Sequence, residues 1–398
     1  MLFRPFSQRK IYLDYAAGTE PNPSAIHNVG VLERRKLESA RKQIAKALAV
    51  QANEIVFTSG GTESNNLAIL GVFRAALRRN TQDSPLGPAE GSLVCSAKPH
   101  IITSNIEHAS VLEAVKQAEC EGAEVSYLKV KEDGVVDISN LESLIKPETV
   151  LISLMHANNE TGTIQPVREV GLIVQKSKVE SRKSYPYFHV DAAQTAGYKS
   201  IEPHAFFADL LTVSGHKVYG PKGTGLLYIK NETRIEPLLF GGGQERGLRS
   251  GTENVEGQIK FAQAFVNVQK NKSEESKRLE ALRQSFLKEL STQGSPVYNG
   301  SKTHQLPNIV NVSFRNIASD RMVLELDAKG IAVSAGSACH AGQSEFSQVI
   351  ANMKGEELAK GAIRFSFGRA TTQRDIQIVV RAISDILDKN KIKNGGSK

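Results

Sequence analysis

From residue 54 to residue 230 the chain repeats one alternation, a short run of apolar, largely β-branched residues followed by a stretch with helical spacing. The runs are EIVFTS, HIITS, VSYLKV, VLISLM, YFHVDA, DLLTVS and GLLYIK. Most are continuously apolar rather than alternating, which is the pattern of strands covered on both faces. Strands that alternate with helices pair in parallel through crossovers, so the region reads as an α/β fold around a mostly parallel central sheet. Two stretches break the rhythm: NTQDSPLGPAEGS at 80–92, rich in turn formers, and the basic SKVESRKSYP at 177–186. Both are expected to be surface loops.

After GGGQERGLRSGTEN the character changes. A long helical stretch at about 257–291 leads to PNIVNVSF, which alternates as a half-buried strand does, and the chain closes on TTQRDIQIVVRAISDIL. In that last helix Ile376, Val379, Val380, Ile383, Ile386 and Leu387 share a face, and Thr372 with Asp375 has the spacing of a capping box. The expected division is a large sheet domain over 16–255 and a smaller α+β domain formed by 1–15 with 256–398. There is no internal repeat.

Bulk properties narrow the class. A chain of 398 residues with 40% apolar and 23% charged residues has the make-up of an ordinary globular enzyme of two modest domains. No run approaches the roughly 18 apolar residues of a membrane span. The opening MLFRPFSQRKIYLDY is basic but lacks the apolar centre of a secretory signal. Cys95, Cys120 and Cys339 are scattered, with no C-x-x-C and no histidine at zinc-finger spacing. Neither a disulfide framework nor a metal site is expected, and a reducing compartment, the cytoplasm, fits. The net charge of +8 is densest in RRKLESARKQ and KNKIKNGGSK and reads as solvated helix faces and a frayed tail. An acidic protein or an RNA docking on a basic face is the alternative, but no aromatics interleave and no nucleic-acid-binding motif appears.

Four motifs carry chemistry. In FTSGGTESNNLAI a strand ends at Thr58, small residues turn the chain, and a helix begins near Glu63. Free N–H groups at that helix start, with the Thr62 hydroxyl, form a phosphate cradle. No Gly-Lys-Ser/Thr follows, so it is not a P-loop, and alone it reads equally well as a tight packing turn. In LTVSGHKVYGPKGTG, Lys217 follows a strand end beside Ser214 and His216. An amine held among polar and cationic groups can have its pKa lowered enough to form a Schiff base. Lys222 is as eligible if Lys217 is only a surface lysine. YFHVDAAQTAG sets Asp191 at another strand end, where a carboxylate can keep a pyridine nitrogen protonated. EHAS sets His108 after HIITS, where an imidazole can stack on a ring or move protons. Cradle, lysine, aspartate and histidine at strand ends together describe a site for pyridoxal phosphate (PLP).

At this point the residues resemble a known family. YLDYAAGT, EIVFTSGGTESNNLAI, ITSNIEHASVL, MHANNETG, HVDAAQTAG, SGHKVYGPKGTG, GGGQERGLRSGT, SAGSAC and IRFSFGR look like the cysteine desulfurases of class V aminotransferase fold, NifS- and IscS-like enzymes. The likeness runs in order from about residue 11 to 385. SGHK with DAAQ is specific to the fold, PLP-dependent transferase fold type I. SAGSAC resembles the first of two desulfurase groups rather than the one with an R-x-G-H-H-C loop. The resemblance implies that Lys217 carries PLP, Asp191 pairs with its ring nitrogen, Gln194 bonds its phenolic oxygen and Asn159 helps hold the ring. It implies Gly61, Thr62, Ser214 and His216 at the phosphate and His108 stacked on the ring. Thr252 would reach a phosphate in the other subunit of a homodimer. Arg364 would clamp the carboxylate of L-cysteine, with Asn159 nearby, a task suited to a guanidinium fork; Arg369 lies close by in the same motif.

Cys339 sits in VSAGSACHAG, among residues too small to pack against it. The resemblance gives that thiol a purpose. Its thiolate would attack the substrate sulfur, leave alanine and hold a persulfide for an acceptor, an iron–sulfur scaffold or a sulfur carrier for tRNA thiolation. A glycine- and serine-rich tether suits a group that must visit a cofactor and then an outside partner, and thiolate character matters more than burial. Cys95 and Cys120 read as incidental, and His156 and His189 as packed core histidines. His340 reads as solvated, though it stands next to the thiol. Two departures from the family stand out: a shortened stretch between YLDYAAGT and PNPSAIHNVG, and a short, lysine-rich tail in place of the usual docking segment for a scaffold protein. The rival functions are a selenocysteine lyase, another class V lyase or aminotransferase, and a non-catalytic sulfur-relay protein on the same scaffold.

Overall fold

In the computed structural model, which describes residues 11–82, 98–293, 296–315, 317–336 and 346–395, the seven apolar runs form one sheet. Its strands are β1 (Ile55–Thr58), β2 (His100–Ser104), β3 (Glu124–Leu128), β4 (Thr149–Met155), β5 (Tyr187–Asp191), β6 (Leu210–Ser214) and β7 (Gly225–Ile229). The helices between and before them are α1 (Asn28–Leu48), α2 (Gly61–Gln82), α3 (Ala109–Cys120), the single turn α4 (Leu141–Leu144) and α5 (Val167–Ser181). The spatial order is β1-β7-β6-β5-β4-β2-β3. Only β7 runs against its neighbours, pairing antiparallel with both β1 and β6. The carboxyl ends of β1, β2, β4, β5 and β6 therefore share one edge of the sheet. Every residue of these five strands and of β7 is buried, whereas the outer strand β3 is half open.

The second half begins with α6 (Val255–Leu290), whose 36 residues span about 54 Å. Phe261, Ala262, Phe265 and Val268 join the core beneath the large sheet. Further along, Leu279, Leu282, Phe286 and Leu290 belong to a different core. That core is completed by a three-stranded antiparallel sheet, β8 (Val297–Tyr298), β9 (Ile309–Ser313) and β10 (Ala362–Ser366), in the order β10-β9-β8. Helices α7 (Ser319–Asp327) and α10 (Gln373–Gly395) pack on it, whereas α8 (Gln348–Lys354) and the single turn α9 (Glu356–Ala359) send Val349, Ile350, Met353 and Ala359 into the core of the large sheet. The capping box at the start of α10 forms in both directions, Thr372 N donating to Asp375 Oδ2 at 2.8 Å and Asp375 N to Thr372 Oγ1 at 3.3 Å.

Two expectations need correction. The basic stretch at 177–186 is not all loop, because α5 continues through Ser181 and ends on Arg182 in the left-handed conformation. Its last turn is fastened by Lys178, which is 2.6 Å from the buried Asp209 at the foot of β6. Residues 80–82 likewise complete α2, and the rest of the 80–92 stretch lies outside the described residues. Residues 11–27 form no helix, and α1 starts directly after them, with His27 Nδ1 accepting from Gly30 N at 3.2 Å. Among the described residues no helix is long and apolar enough to cross a membrane, and no group of three or more His, Cys, Asp or Glu could hold a metal ion.

Candidate active site

Each strand that ends at the shared edge hands over residues singled out above. From β1 the chain enters α2 at Gly61 and Thr62, two residues earlier than the sequence suggested. From β2 it reaches His108, from β4 Asn159, from β5 Asp191 and Gln194, and from β6 Ser214, His216 and Lys217.

Asp191 is the last residue of β5 and only 6% exposed. A buried carboxylate needs donors, and two are supplied: Ala193 N to Oδ1 at 2.9 Å and Asn65 Nδ2 to Oδ2 at 2.8 Å. Asn65, on the second turn of α2, also donates to Ser110 Oγ at 2.8 Å. Ser110 Oγ in turn lies 2.8 Å from His108 Nδ1. His108 is the N-cap of α3, a place usually taken by Ser, Thr, Asp or Asn, and its Nδ1 accepts from Ser110 N at 3.1 Å. Asp191 and His108 are thus joined through two side chains. Beside them Glu107 is fully buried and takes the Ser104 hydroxyl on Oε1. Burial, reinforced by the charge of Asp191, pushes its pKa up to about 8, so it is largely neutral at pH 7.

At the other end of the edge, α2 begins hard against β6. A Cβ on Gly61 would stand 3.3 Å from Ser214 Cβ and 3.8 Å from Thr212 Cγ2. Glycine there lets the first N–H groups of the helix approach the Ser214 hydroxyl. Ser214 Oγ is 3.0 Å from His216 Nδ1. The His216 pKa is pushed down by partial burial and then by its neighbours Lys217, Lys222 and His108. Lys217 lies on the short 3-10 turn Gly215–Val218 that leaves β6.

Asn159 belongs to a turn built by its neighbour. Asn158 donates to Ile106 O at 2.9 Å and accepts from Glu160 N at 2.8 Å and Thr161 N at 2.9 Å, tying the ends of β2 and β4 together. From β10, Arg364 Nη1 reaches Asn159 O at 3.0 Å and Nη2 reaches Ser334 Oγ at 3.2 Å. Cys339 and His340 lie outside the described residues, as does Cys95. The chain on either side of 337–345 is placed, however. Gly336 has φ +66° and a Cβ there would stand 3.4 Å from Ser347 Cβ and 3.7 Å from Glu160 Oε2, while Ser347 Oγ donates to that same carboxylate. Both flanks therefore meet at Glu160, one residue from Asn159.

The remaining expected residues are less integrated. Gln194 is half-buried on the turn after Asp191, and Thr252 is exposed before α6 and joins none of these bonds. His189 is pinned inside the sheet, Nδ1 2.8 Å from Ser153 Oγ and Nε2 3.0 Å from Thr212 Oγ1. His156 lies one residue past the end of β4, its ring centroid 4.6 Å from that of Phe206. Burial pushes both imidazoles down to about 4, so both are neutral core groups. Cys120 closes α3 and is exposed. Asn65, Ser110, Asn158, Glu160 and Ser347 escaped the sequence reading. The signal available was a polar pair, Asn65 and Asn66, directly before the apolar run LAILGVF of α2.

Comparison with known proteins places this geometry. The model of the family "Aminotransferase class-V" matches residues 8–83 and 89–379. The chain is 40% identical to the cysteine desulfurase IscS of Dictyoglomus turgidum, over 96% of this chain and 95% of that protein. It is 37% identical to the mitochondrial cysteine desulfurase of Saccharomyces cerevisiae, over 96% of this chain and 75% of that one. A solved NifS-like protein superposes with a TM-score of 0.81 at 36% identity, covering 92% of each chain. The chain belongs to the class-V aminotransferase family. Within it the chain stands among the cysteine desulfurases, and the sheet, the crossing long helix and the small antiparallel sheet are the fold of that group.

Proposed function

We propose that the protein is a PLP-dependent cysteine desulfurase that converts L-cysteine to L-alanine and holds the sulfur as a persulfide on Cys339, for an acceptor in iron–sulfur cluster assembly or tRNA thiolation. The observation that carries the reading is a buried, doubly hydrogen-bonded carboxylate, Asp191, at the same strand edge as the turn bearing Lys217. The donor chemistry fits PLP. The N–H groups of Gly61 and Thr62 and the Ser214 hydroxyl suit a phosphate, and a side chain at Gly61 would crowd that corner. His216 adds a further donor there. Asp191 suits a protonated ring nitrogen, Gln194 the phenolic oxygen, Asn159 and His108 the ring, and Lys217 the aldehyde carbon.

When bound, PLP supplies an electron sink that stabilises negative charge on the carbons of the amino acid. This chain's own residues do the rest. Arg364 binds the substrate carboxylate, its guanidinium already braced on Asn159 O and Ser334 Oγ. His108 and Lys217 are the groups set to move protons at the amino-acid carbons. The Cys339 thiolate attacks the sulfur of the bound cysteine; the S–S bond forms as the Cβ–S bond breaks, and the carbon takes a proton to give alanine. The products balance as L-alanine and one persulfide.

Thr252 is assigned to the phosphate of the second subunit in a homodimer. Leu13, Ile26 and Phe240, all exposed, support such an interface. The unit over 16–255 is read as the PLP-binding domain, and 1–15 with 256–398 as the domain carrying the cysteine loop. The three scattered cysteines favour a reducing compartment, and the cytoplasm is proposed, although the yeast relative is mitochondrial by name. The test is an alanine-and-persulfide assay on the wild type and Cys339→Ala, with candidate acceptors added in turn. Desulfurase activity vanishes in the variant while the cofactor's absorbance stays. Turnover that survives the substitution would move the reading to a selenocysteine lyase or another class V lyase, and a preparation that never colours with PLP would leave a relay scaffold.

A further inference from the structure

The hydrogen bonds around His108 have a direction. The backbone N–H of Ser110 can only donate, and it points at His108 Nδ1 from 3.1 Å, so that nitrogen carries the lone pair. Ser110 Oγ lies 2.8 Å from the same nitrogen and receives an N–H from Asn65 at 2.8 Å, which directs its own proton to Nδ1. The orientation of the Asn65 amide is set in turn, because the same Nδ2 faces the Asp191 carboxylate, which only accepts. Asn65 is 1% exposed, and its Oδ1 has no hydrogen-bond partner among the described residues. A buried amide tolerates an orphaned oxygen only where its nitrogen is committed elsewhere. Turning the amide over would set that oxygen against the carboxylate.

We infer that Asn65 and Ser110 are positioning residues that lock His108 in the tautomer with its proton on Nε2 and make that tautomer depend on the charge of Asp191. Protonation at Nδ1 would set an N–H against the backbone N–H of Ser110 and force the hydroxyl to reverse. In its neutral form His108 therefore presents a donating Nε2–H. Should Asp191 lose its charge, the Asn65 amide is freed to turn, the Ser110 hydroxyl follows its oxygen, and Nδ1 loses one of its two donors. The catalytic meaning of the relay rests on the desulfurase reading; the tautomer itself does not.

The experiment is nitrogen NMR of the full-length protein labelled with nitrogen-15 histidine, the His108 pair being assigned by its absence in His108→Gln. In the wild type the neutral ring, observed at about pH 8, is expected to carry its proton on Nε2. Ser110→Ala shifts the tautomer ratio roughly fivefold or more, the size of one net hydrogen bond, and Asn65→Leu does the same. Ser110→Thr, which keeps the hydroxyl, restores the wild-type pattern and shows that the effect is not general loosening. A wild-type ring protonated at Nδ1, or both Ser110→Ala and Asn65→Leu spectra indistinguishable from wild type, would overturn the inference. The readout needs no turnover. A locked tautomer in a protein that makes no alanine retires the desulfurase reading alone, and an active desulfurase with a free tautomer retires this one alone.

Discussion

Arg364 and Ser334 hold each other through backbone and side chain together. Arg364 N donates to Ser334 O at 2.8 Å, Ser334 N to Arg364 O at 3.3 Å, and Arg364 Nη2 to Ser334 Oγ at 3.2 Å. Ser334 is three residues ahead of the segment 337–345 that contains Cys339, so the chain that leads to the thiol is registered on the residue assigned to the substrate carboxylate.

That arrangement makes Arg364→Lys a sharp test. An ammonium keeps the charge but cannot span Asn159 O, Ser334 Oγ and a carboxylate in one plane. Loss of one charge-assisted hydrogen bond predicts a fall in kcat/KM for L-cysteine of roughly tenfold to a hundredfold, carried mainly by KM. Steady-state kinetics at several cysteine concentrations measure it. An unchanged KM would remove Arg364 from the substrate.

A second prediction concerns stability far from the chemistry. Buried Arg41 on α1 grips buried Glu245 with two bonds, Nη1 to Oε2 at 2.7 Å and Nη2 to Oε1 at 2.8 Å. Glu245 Oε2 also accepts from Phe57 N on β1 at 3.0 Å, and the guanidinium lies 4.6 Å over the Phe57 ring. Removing Glu245 leaves the buried guanidinium with only the half-exposed Glu38, 3.1 Å from Nε, and Ile55 O as partners. Glu245→Ala is expected to cost about 3–5 kcal/mol in urea unfolding, and Arg41→Met with Glu245→Leu to recover much of it. A single-variant cost below about 1 kcal/mol would show that the pair is not desolvated as described.

The sheet was legible in the chain because all its strands but the outer β3 are buried on both faces, and a continuous apolar run of that length has few other uses. The reversed direction of β7 was legible too, though less directly. Ten residues, 215–224, separate β6 from β7, too few for a crossover and enough for an antiparallel return. The residues of the strand ends were legible only through motif resemblance, since a lone aspartate or lysine says little. Asn65 and Ser110 were not, because their significance is a contact between α2 and α3, elements 45 positions apart in the chain. The helical start of 177–186 was missed for another reason: its charges look solvated until Asp209 is seen to receive Lys178.

Glu107 gives a pH prediction with a definite sign. Its carboxyl is neutral in the fold up to about 8 but ionises near the ordinary value of 4.5 when unfolded. Between those values the native state binds more protons, so this group makes stability fall as pH rises, by up to about 1.4 kcal/mol per pH unit. Glu107→Gln keeps an acceptor for Ser104 and removes the titration. Urea midpoints compared at about pH 5 and 8 should show the variant gaining on the wild type at the higher pH. Parallel pH profiles would mean that Glu107 is already ionised in the fold.

His156 and His189 act in the opposite sense and on the acid side. Burial is the leading cause in both, and the folded state holds each near 4 against an ordinary 6.5. Below about 6.5 the unfolded chain takes up protons that the folded chain refuses, so their contribution is complete above that value and drains away as pH falls toward 4. His189 cannot relieve the strain by turning, since Ser153 and Thr212 occupy both of its nitrogens, and the charge of Asp191 offsets only part of the burial. Each histidine steepens the acid limb by up to about 1.4 kcal/mol per pH unit. His156→Leu, which keeps an apolar contact for Phe206, is expected to unfold less steeply than the wild type between about pH 6.5 and 4, with His189→Gln flattening the limb further. Measuring unfolding free energy at half-unit pH steps separates the two. A limb of unchanged slope in both variants would assign the acid loss to the surface carboxylates instead.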